Sequence, residues 1–418
     1  MNLNPEMKQS VGGGPRALNA APVNPIPAVL LDSSSILLFA ITAGVMMANL
    51  YYVQPLLATV AAAFGHETTT AGYLVTFTQA GYAIGVFLIV PIGDVLDRRK
   101  MLSLMLVVNA GALAVAALSR NFGMFAVASL MIGITSSAVM VVISYVAVRA
   151  PDSERGRRVG QVMTGLILGI LLARTVSGLV GTFFGWRSMY VIAAGVVIAL
   201  LFALRAVMVR EQRRGHLNYP QLLLSIVDLV KSEPQLRLRS FYSMLGLGTF
   251  SVLWTGLTFL LSGAPYHYSE ATIGLFGLAG AAGAVSANLA GRLGDRGHAH
   301  RMTAVLAIIL LLSWGMLALG QRSVGWIIVG AFLLDVGMQG LQVTHQTVIF
   351  KIAPHARSRV TAVFTTSAFF GASMGSAIAT KSFALGGWIG LSVAGAALPA
   401  ILLVVWGINQ LRRNSQRR

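Results

Sequence analysis

Three ionisable side chains, Arg174, Asp335 and His345, lie inside long apolar stretches of the sequence. An ionisable group in such surroundings usually faces a protein interior or a water-filled path, where it exchanges protons, binds ions or pairs with another charge. Arg174 and Asp335 carry opposite charges, so each is less costly to bury beside the other, and we expect them to be in contact. An Asp335 that changes its protonation could take up and release protons and so draw on a proton gradient. The alternatives are a permanent structural pair and, for His345, a hydrogen-bonded structural role instead of a proton relay.

A stripe of amides accompanies Asp335. Gln339, Gln342 and Gln346 follow it at spacings of four, three and four residues, which places all four side chains on one face of a helix. We expect that face to line a central cavity.

The elements that carry these residues are predicted to be membrane-spanning helices. The chain of 418 residues is 56% hydrophobic and only 11% charged, which is too apolar to be covered by a soluble surface. Its long apolar runs have the length of bilayer crossings. We place the starts of twelve crossings near Ile36, Ala71, Met101, Phe122, Val159, Met189, Phe241, Thr272, Met302, Gly325, Val360 and Trp388.

The runs divide the chain into two groups of six. We expect a disordered tail at 1–35, without the apolar core of a signal peptide, and helical bundles at 36–208 and 240–411. The linker at 209–239 is basic and contains apolar residues at helical spacing, which predicts an amphipathic helix on the membrane surface. A basic tail at 412–418 completes the chain.

Positive charge is concentrated in alternate loops. Of the 31 Lys and Arg residues, 26 fall on one predicted side of the membrane, and Arg120, Arg187, Arg322 and Lys381 fall on the other. The positive-inside rule therefore predicts that both termini and the linker are cytoplasmic. This topology explains the net charge of +18 without a nucleic-acid partner.

The two groups of six repeat each other at an offset of about 200 residues. The pattern G-x-x-x-D-R occurs at Gly93–Arg98 and again at Gly291–Arg296, and Gly185-Trp186 matches Gly387-Trp388. Gly165, Gly169, Ala173, Ser177 and Gly181 also recur every four residues, a spacing that lets another helix approach closely. The sequence thus predicts an all-α integral membrane fold of twelve helices in two pseudo-symmetric bundles.

The loop from Gly93 to Lys100 resembles the signature of the major facilitator superfamily, commonly G-x-x-x-D-R-x-G-R-[RK], although the later Gly is missing here. The resemblance implies a cytoplasmic gate formed by Gly93, Asp97, Arg98, Gly291, Asp295 and Arg296. A simple turn with topogenic charge is the alternative. Helices one, four, seven and ten line the cavity in that family. Its substrate-contact candidates in this chain are Asn49, Tyr52, Gln54, Tyr145, Trp254, Gln339, Gln342 and Gln346. Interhelical hydrogen bonds and packing would account for the same residues.

The resemblance implies a secondary transporter of the bacterial inner membrane that works by alternating access. We expect a monomeric antiporter that exports small organic molecules, such as drugs or metabolites, with the proton gradient as its energy source. An importer of a small nutrient, such as an aromatic acid or sugar, is the alternative. The sequence contains no Cys, no H-E-x-x-H and no P-loop, so we expect no metal, no cofactor and no catalytic residue, and a membrane-embedded enzyme is a distant alternative.

Overall fold

The computed structural model describes residues 32–94, 96–210, 219–280, 299–352 and 357–415, and helices make up most of them. No strand occurs in these ranges. The helices are α1 (Ser33–Ala48), α2 (Leu57–Ala63), α3 (Thr68–Leu88), α4 (Arg98–Leu118), α5 (Phe122–Ser136), α6 (Ala138–Arg149), α7 (Arg155–Phe184), α8 (Trp186–Val207), α9 (Tyr219–Ser232), α10 (Pro234–Ser262), α11 (Glu270–Leu275), α12 (Ala299–Ala318), α13 (Val324–Ile352) and α14 (Arg357–Ser415). The predicted all-helical membrane fold is confirmed.

Nine helical stretches in the described ranges are long and apolar enough to cross a membrane. One of them, α14, contains two crossings joined at Gly386 and Gly387, where the backbone leaves the helical conformation. The first crossing is divided between α1 and α2, which are separated by a non-helical segment and the short 3₁₀ turn Gln54–Leu56. The crossing predicted to begin near Thr272 includes residues beyond 280 that lie outside the described ranges.

Helix ends coincide with side chains that satisfy the first free N–H groups. Asp32 accepts a hydrogen bond from Ser35 N at the start of α1, and Asp97 accepts one from Arg99 N at the start of α4, each at 2.9 Å. The bend in α14 depends on glycine, because Gly387 has a φ of 56°. These local signals mark where α1 and α4 start and where α14 turns back.

In each half, glycines allow one pair of helices to pack at close distance, and the two pairs correspond in the repeat. In the first half, a methyl group at Gly169 of α7 would contact the backbone of Gly44 in α1. In the second half, a methyl group at Gly375 of α14 would contact the backbone of Gly248 in α10. Close backbone approach strengthens dispersion contacts between helices, which is the main source of packing energy in a membrane. The duplication is therefore visible in the packing as well as in the loops.

The linker contains α9, at the place where helical spacing predicts a helix. Its buried residues are Leu222 and Ile226, and Ile226 belongs to an apolar cluster with Leu236 and Phe364. The apolar face of α9 therefore packs against protein. Since α10 begins at Pro234, the end of the predicted linker is already helix, and Arg239 is buried on the second turn of α10.

The two ends of the bundle differ in how the halves meet. We call the end that carries Arg98, Arg149 and Arg205 the basic end, and the end that carries Glu67 and Glu270 the opposite end. Near the opposite end the halves are hydrogen-bonded. The bonds run from Thr258 Oγ1 to Gln54 O (2.8 Å), Ser376 Oγ to Gly72 O (3.1 Å), Ser373 Oγ to Thr76 O (3.0 Å) and Thr59 Oγ1 to Glu270 Oε1 (2.9 Å).

Near the basic end a cavity of about 380 Å³ lies between the halves. Its wall in the first half is mainly apolar and includes Arg98 and Met140, and its wall in the second half includes Phe350 and Thr365. The halves are thus closed at one end and separated by a cavity at the other, which is the geometry of one state of a rocking molecule.

Candidate functional site

Arg174 is held on α7 in the interior of the molecule, with only 3% of its surface exposed. Its Nε donates a hydrogen bond to Gln54 Oε1 at 2.6 Å. Its guanidinium carbon lies 4.1 Å from the ring centre of Trp254 and 4.7 Å from that of Tyr51. A cation over aromatic faces is stabilised by the ring quadrupoles, most strongly over Trp. The aromatic rings and Gln54 therefore compensate part of the loss of hydration that burial imposes on Arg174.

The backbone of Arg174 packs against small residues of the second half, so Arg174 lies at the interface between the halves. A Cβ at Gly274 of α11 would contact the carbonyl oxygen of Arg174, and a Cβ at Gly277 would lie 3.1 Å from Arg174 Cβ. Thr175 Oγ1 also donates to Gly274 O at 3.0 Å. The part of α7 around Arg174 thus packs against the second half, while Gly165 and Gly169 of the same helix pack against α1.

Asp335 lies on α13 of the second half and is 2% exposed. Neither carboxylate oxygen has a hydrogen-bond partner among the described residues. The groups that act on its charge are the guanidinium of Arg174 and the indole N–H of Trp254, which faces the carboxylate without the geometry of a hydrogen bond. Asp335 and Arg174 are therefore near each other, on opposite halves.

The predicted direct contact between Arg174 and Asp335 is wrong for this state of the molecule. No ion pair joins them, because the guanidinium is directed to Gln54 and to the faces of Trp254 and Tyr51. The attraction between the two charges acts through space. A long Arg side chain can choose among several buried partners, and the sequence does not show which partner its rotamer reaches.

The surroundings of Arg174 and Asp335 contain further polar atoms without partners. Besides the two oxygens of Asp335, these are Arg174 Nη2, Trp254 Nε1 and Gln54 Nε2. A buried polar group that makes no hydrogen bond costs about 1–3 kcal/mol. Native proteins contain few such groups, and five on four interacting side chains call for an explanation.

His345 belongs to a separate buried cluster nearer the basic end. Its Nδ1 lies 3.3 Å from Arg239 Nη1, and its ring lies 5.3 Å from that of Tyr242. Because a guanidinium only donates, Nδ1 must accept, and the ring proton is on Nε2. Beside it, Ser243 donates to Gln342. This geometry favours the structural alternative for His345, and its role in proton relay stays a prediction.

Two of the other substrate-contact candidates take part in packing within the first half. Asn49 Nδ2 donates to Asn109 Oδ1 at 3.0 Å, and Asn109 donates to Thr135 Oγ1 at 2.8 Å, so these amides join α1, α4 and α5. The hydroxyl of Tyr145 accepts from Val209 N at 3.2 Å. The structure gives both side chains a stabilising role.

None of the eight candidates is among the residues lining the cavity near the basic end, so their contact with substrate stays a prediction. Gln54 and Trp254 surround Arg174, and Tyr52 is buried nearby, its carbonyl accepting a bond from Ser177. Gln339 and Gln346 are half-buried on α13. Tyr51, three residues before Gln54, also contacts Arg174 through its ring.

The loop motif of the first half lies at the basic end. Gly93 is part of the 3₁₀ turn Val90–Asp94, Asp97 caps α4, and Arg98 is buried and lines the cavity. Gly291, Asp295 and Arg296, the second copy, lie outside the described residues. The gating role of both copies stays a prediction.

Comparison with known proteins identifies the family. The model of the Major Facilitator Superfamily matches residues 39–376. The chain belongs to this superfamily. The uncharacterized transporter YgaY of Escherichia coli O157:H7 is 40% identical over 376 residues, which cover 90% of this chain and 95% of YgaY. A Helicobacter pylori protein named "Probable sugar efflux transporter" is 23% identical over 79% of this chain and 84% of its own length.

The fold agrees with this assignment. The crystal structure of the nucleoside transporter NupG superimposes with a TM-score of 0.71 at 13% identity, covering 89% of this chain and 99% of NupG. The resemblance seen in the loop motifs is thus confirmed, and the protein is a multi-pass membrane transporter of a small-molecule substrate.

Proposed function

We propose that this transporter exports small organic molecules in exchange for protons, and that Asp335 is the group that takes up and releases the proton. The observation that carries the proposal is the carboxylate of Asp335, buried at the interface between the halves and without a hydrogen-bond partner in the described part of the chain. Ionisable residues at such depth are costly and are retained where they act on ions or substrates.

The position of Arg174 supplies a physical link between proton binding and movement. Arg174 belongs to the first half and Asp335 to the second, so their attraction favours closure of the halves at this level while Asp335 is ionised. Protonation of Asp335 removes that attraction. A site that alternates between the two protonation states therefore biases the halves toward different relative positions.

The proposed direction of transport and the proposed membrane are supported by the distribution of charge in the sequence and by a related protein. The distribution of Lys and Arg favours a cytoplasmic basic end in the bacterial inner membrane, and with that orientation the cavity near the basic end faces inward. The name of the Helicobacter pylori relative supports export. In this state a substrate would enter the cavity from the cytoplasm.

The proposal is tested by proton flux in proteoliposomes that contain a pH-sensitive dye and a panel of organic solutes. Wild type is compared with Asp335→Asn and with Asp228→Asn, a matched control because Asp228 is exposed on α9. We expect solute-dependent proton flux in wild type and in Asp228→Asn, and none in Asp335→Asn. Equal flux in all three proteins would refute the role of Asp335. Protons moving in the same direction as the solute would identify an importer.

A charge exchange tests the link between the halves. We expect Arg174→Asp and Asp335→Arg each to abolish solute-driven proton flux, because each leaves two like charges at the interface. The double exchange restores one charge of each sign and should regain part of the flux. Complete failure of the double variant, when it is folded by size-exclusion chromatography, would contradict an electrostatic link.

A further inference from the structure

The five unpartnered polar atoms around Arg174 and Asp335 define a binding site with a particular chemistry. Three of them are N–H donors, from Arg174 Nη2, Trp254 Nε1 and Gln54 Nε2, and two are the acceptor oxygens of Asp335. All four side chains are at least 95% buried. Groups of this kind are normally satisfied by a protein atom, a water molecule or a ligand.

The donors and the acceptors belong to one connected cluster. Gln54 is hydrogen-bonded to Arg174, the guanidinium lies over Trp254, and both Arg174 and Trp254 act on the charge of Asp335. The cluster also spans the two halves, since Gln54 and Arg174 lie in the first half and Trp254 and Asp335 in the second. A ligand held here would touch both halves, as alternating access requires.

The charges of the cluster limit the charge of the ligand. Arg174 and Asp335 carry opposite charges and influence each other, so the pair is neutral when both are ionised. A ligand with a net charge would bring an uncompensated ion into a buried site, which is strongly unfavourable. A net-neutral ligand adds no such penalty.

We propose that the site between Arg174 and Asp335 binds a small net-neutral molecule that carries both hydrogen-bond donors and acceptors. Its donors face the carboxylate of Asp335, and its acceptors face the N–H groups of Arg174, Trp254 and Gln54. Two kinds of molecule share this chemistry, polyhydroxylated compounds such as sugars and zwitterions such as amino acids. The aromatic faces of Tyr51 and Trp254 provide apolar contact for the body of either one.

The inference rests on the proposed function, because it makes Asp335 the point at which ligand and proton compete. A ligand donor that bonds to the ionised carboxylate excludes a proton from it, and a proton on the carboxylate removes the acceptor that the ligand needs. Such mutual exclusion at one group produces exchange of ligand for proton. Binding itself requires no gradient and can be measured separately from proton flux.

The test measures thermal stabilisation of the detergent-solubilised full chain by two matched sets of probes. The first set is glucose, gluconate and N-methylglucamine, which are a neutral, an anionic and a cationic polyol. The second set is leucine, 4-methylpentanoate and isopentylamine, which are a zwitterion, an anion and a cation of similar size. A ligand that binds the folded state raises the melting temperature with its concentration, and the dose dependence gives Kd.

We expect one of the two neutral probes to bind wild type about tenfold more tightly than the two ions of its set. Trp254→Phe keeps an aromatic ring but removes the N–H, and should weaken that binding about tenfold. Trp326→Phe is the control, since Trp326 is 40% exposed on α13, and should leave binding unchanged. Asp335→Asn makes the site positive, so the anionic probe of the same set should bind better than the neutral one.

Three results would overturn the proposal. The first is an ion that binds wild type as tightly as the neutral probe of its set does. The second is that none of the six probes binds wild type, as expected if only water satisfies the five atoms. The third is equal binding to Trp254→Phe and wild type. The binding assay contains no gradient, so the two proposals can fail separately. Binding of a neutral probe without solute-dependent proton flux would refute the proton coupling and leave the proposed ligand class unaffected. Proton flux together with equally tight binding of an ion would refute the ligand class and leave the proton coupling unaffected.

Discussion

Removal of the Glu270 carboxylate should open the end of the transporter that is closed in this structure. Glu270 begins α11 in the second half and accepts hydrogen bonds from two threonines of the first half, Thr59 at 2.9 Å and Thr182 at 3.1 Å. Thr182 in turn accepts from Ala271 N at 3.0 Å. These bonds join the halves near the opposite end, so they exist only while that end is closed.

The magnitude follows from the number and the setting of these bonds. A hydrogen bond to a charged group contributes about 1.5–3 kcal/mol when it is buried. Glu270 is only half-buried, so water competes and about 0.5–1 kcal/mol for each bond is a better figure. Loss of both bonds in Glu270→Ala should shift the equilibrium by about 1–2 kcal/mol, which is a factor of about 5–30 in the ratio of open to closed molecules.

Accessibility of a single cysteine measures this ratio, because the chain has no Cys of its own. Thr380 is 3% exposed and lies against Gly72 of the other half, so Thr380→Cys should react with a maleimide only when this end opens. The labelling rate should rise about 5- to 30-fold when Glu270→Ala is added.

Glu67→Ala is the matched control for this experiment. Glu67 is an exposed acid at the same end, and it accepts a hydrogen bond from Thr69 Oγ1 of its own half. A labelling rate that changes less than about twofold in Glu270→Ala, or that rises equally in Glu67→Ala, would show that the Glu270 bonds do not hold this end closed.

Two further substitutions test the packing of the first half. Gly169→Leu would force a side chain into the backbone of Gly44, so we expect a fall in melting temperature and in the yield of monodisperse protein. Gly160→Leu is the control on the same helix. A Cβ at Gly160 has no neighbouring atom within 4 Å, so this substitution should change neither quantity. Asn109→Leu removes hydrogen bonds to two neighbouring helices and should destabilise the protein by about 1–2 kcal/mol, measured as the melting temperature against Asn414→Leu at the exposed end of α14. An equal melting temperature in either pair would count against the packing role of the residue tested.

Much of the fold could be predicted from the sequence because its signals are local. The lengths of the apolar runs place crossings where α3, α4 and α10 are found, since the bilayer sets the length of each helix. The repeated loop motifs indicated the duplication, and the glycine pairs in the two halves agree with it. The linker helix α9 was expected from apolar spacing, but its packing against Phe364 was not, because periodicity identifies an apolar face and does not identify what covers it.

The candidate site was predicted less completely. Asp335 and Arg174 stood out because ions are rare in apolar stretches, and the structure places them near each other. Asn49 and Tyr145 were selected for their polar groups, yet those groups hold helices and a loop together. A polar residue that binds substrate and one that joins two helices have the same sequence signal.

The amino-acid sequence alone shows that this chain crosses a membrane many times in two related halves, and that a few charges must be buried between them. These properties depend on hydropathy and on local spacing, which each segment carries independently of the others. The three-dimensional structure was needed to show that Arg174 bonds to Gln54, 120 residues away, and that Thr258 bonds to a carbonyl 204 residues away at the closed end. Such contacts depend on how whole helices are rotated and shifted against one another. Each is worth only about 1 kcal/mol, and their sum selects between states of nearly equal free energy.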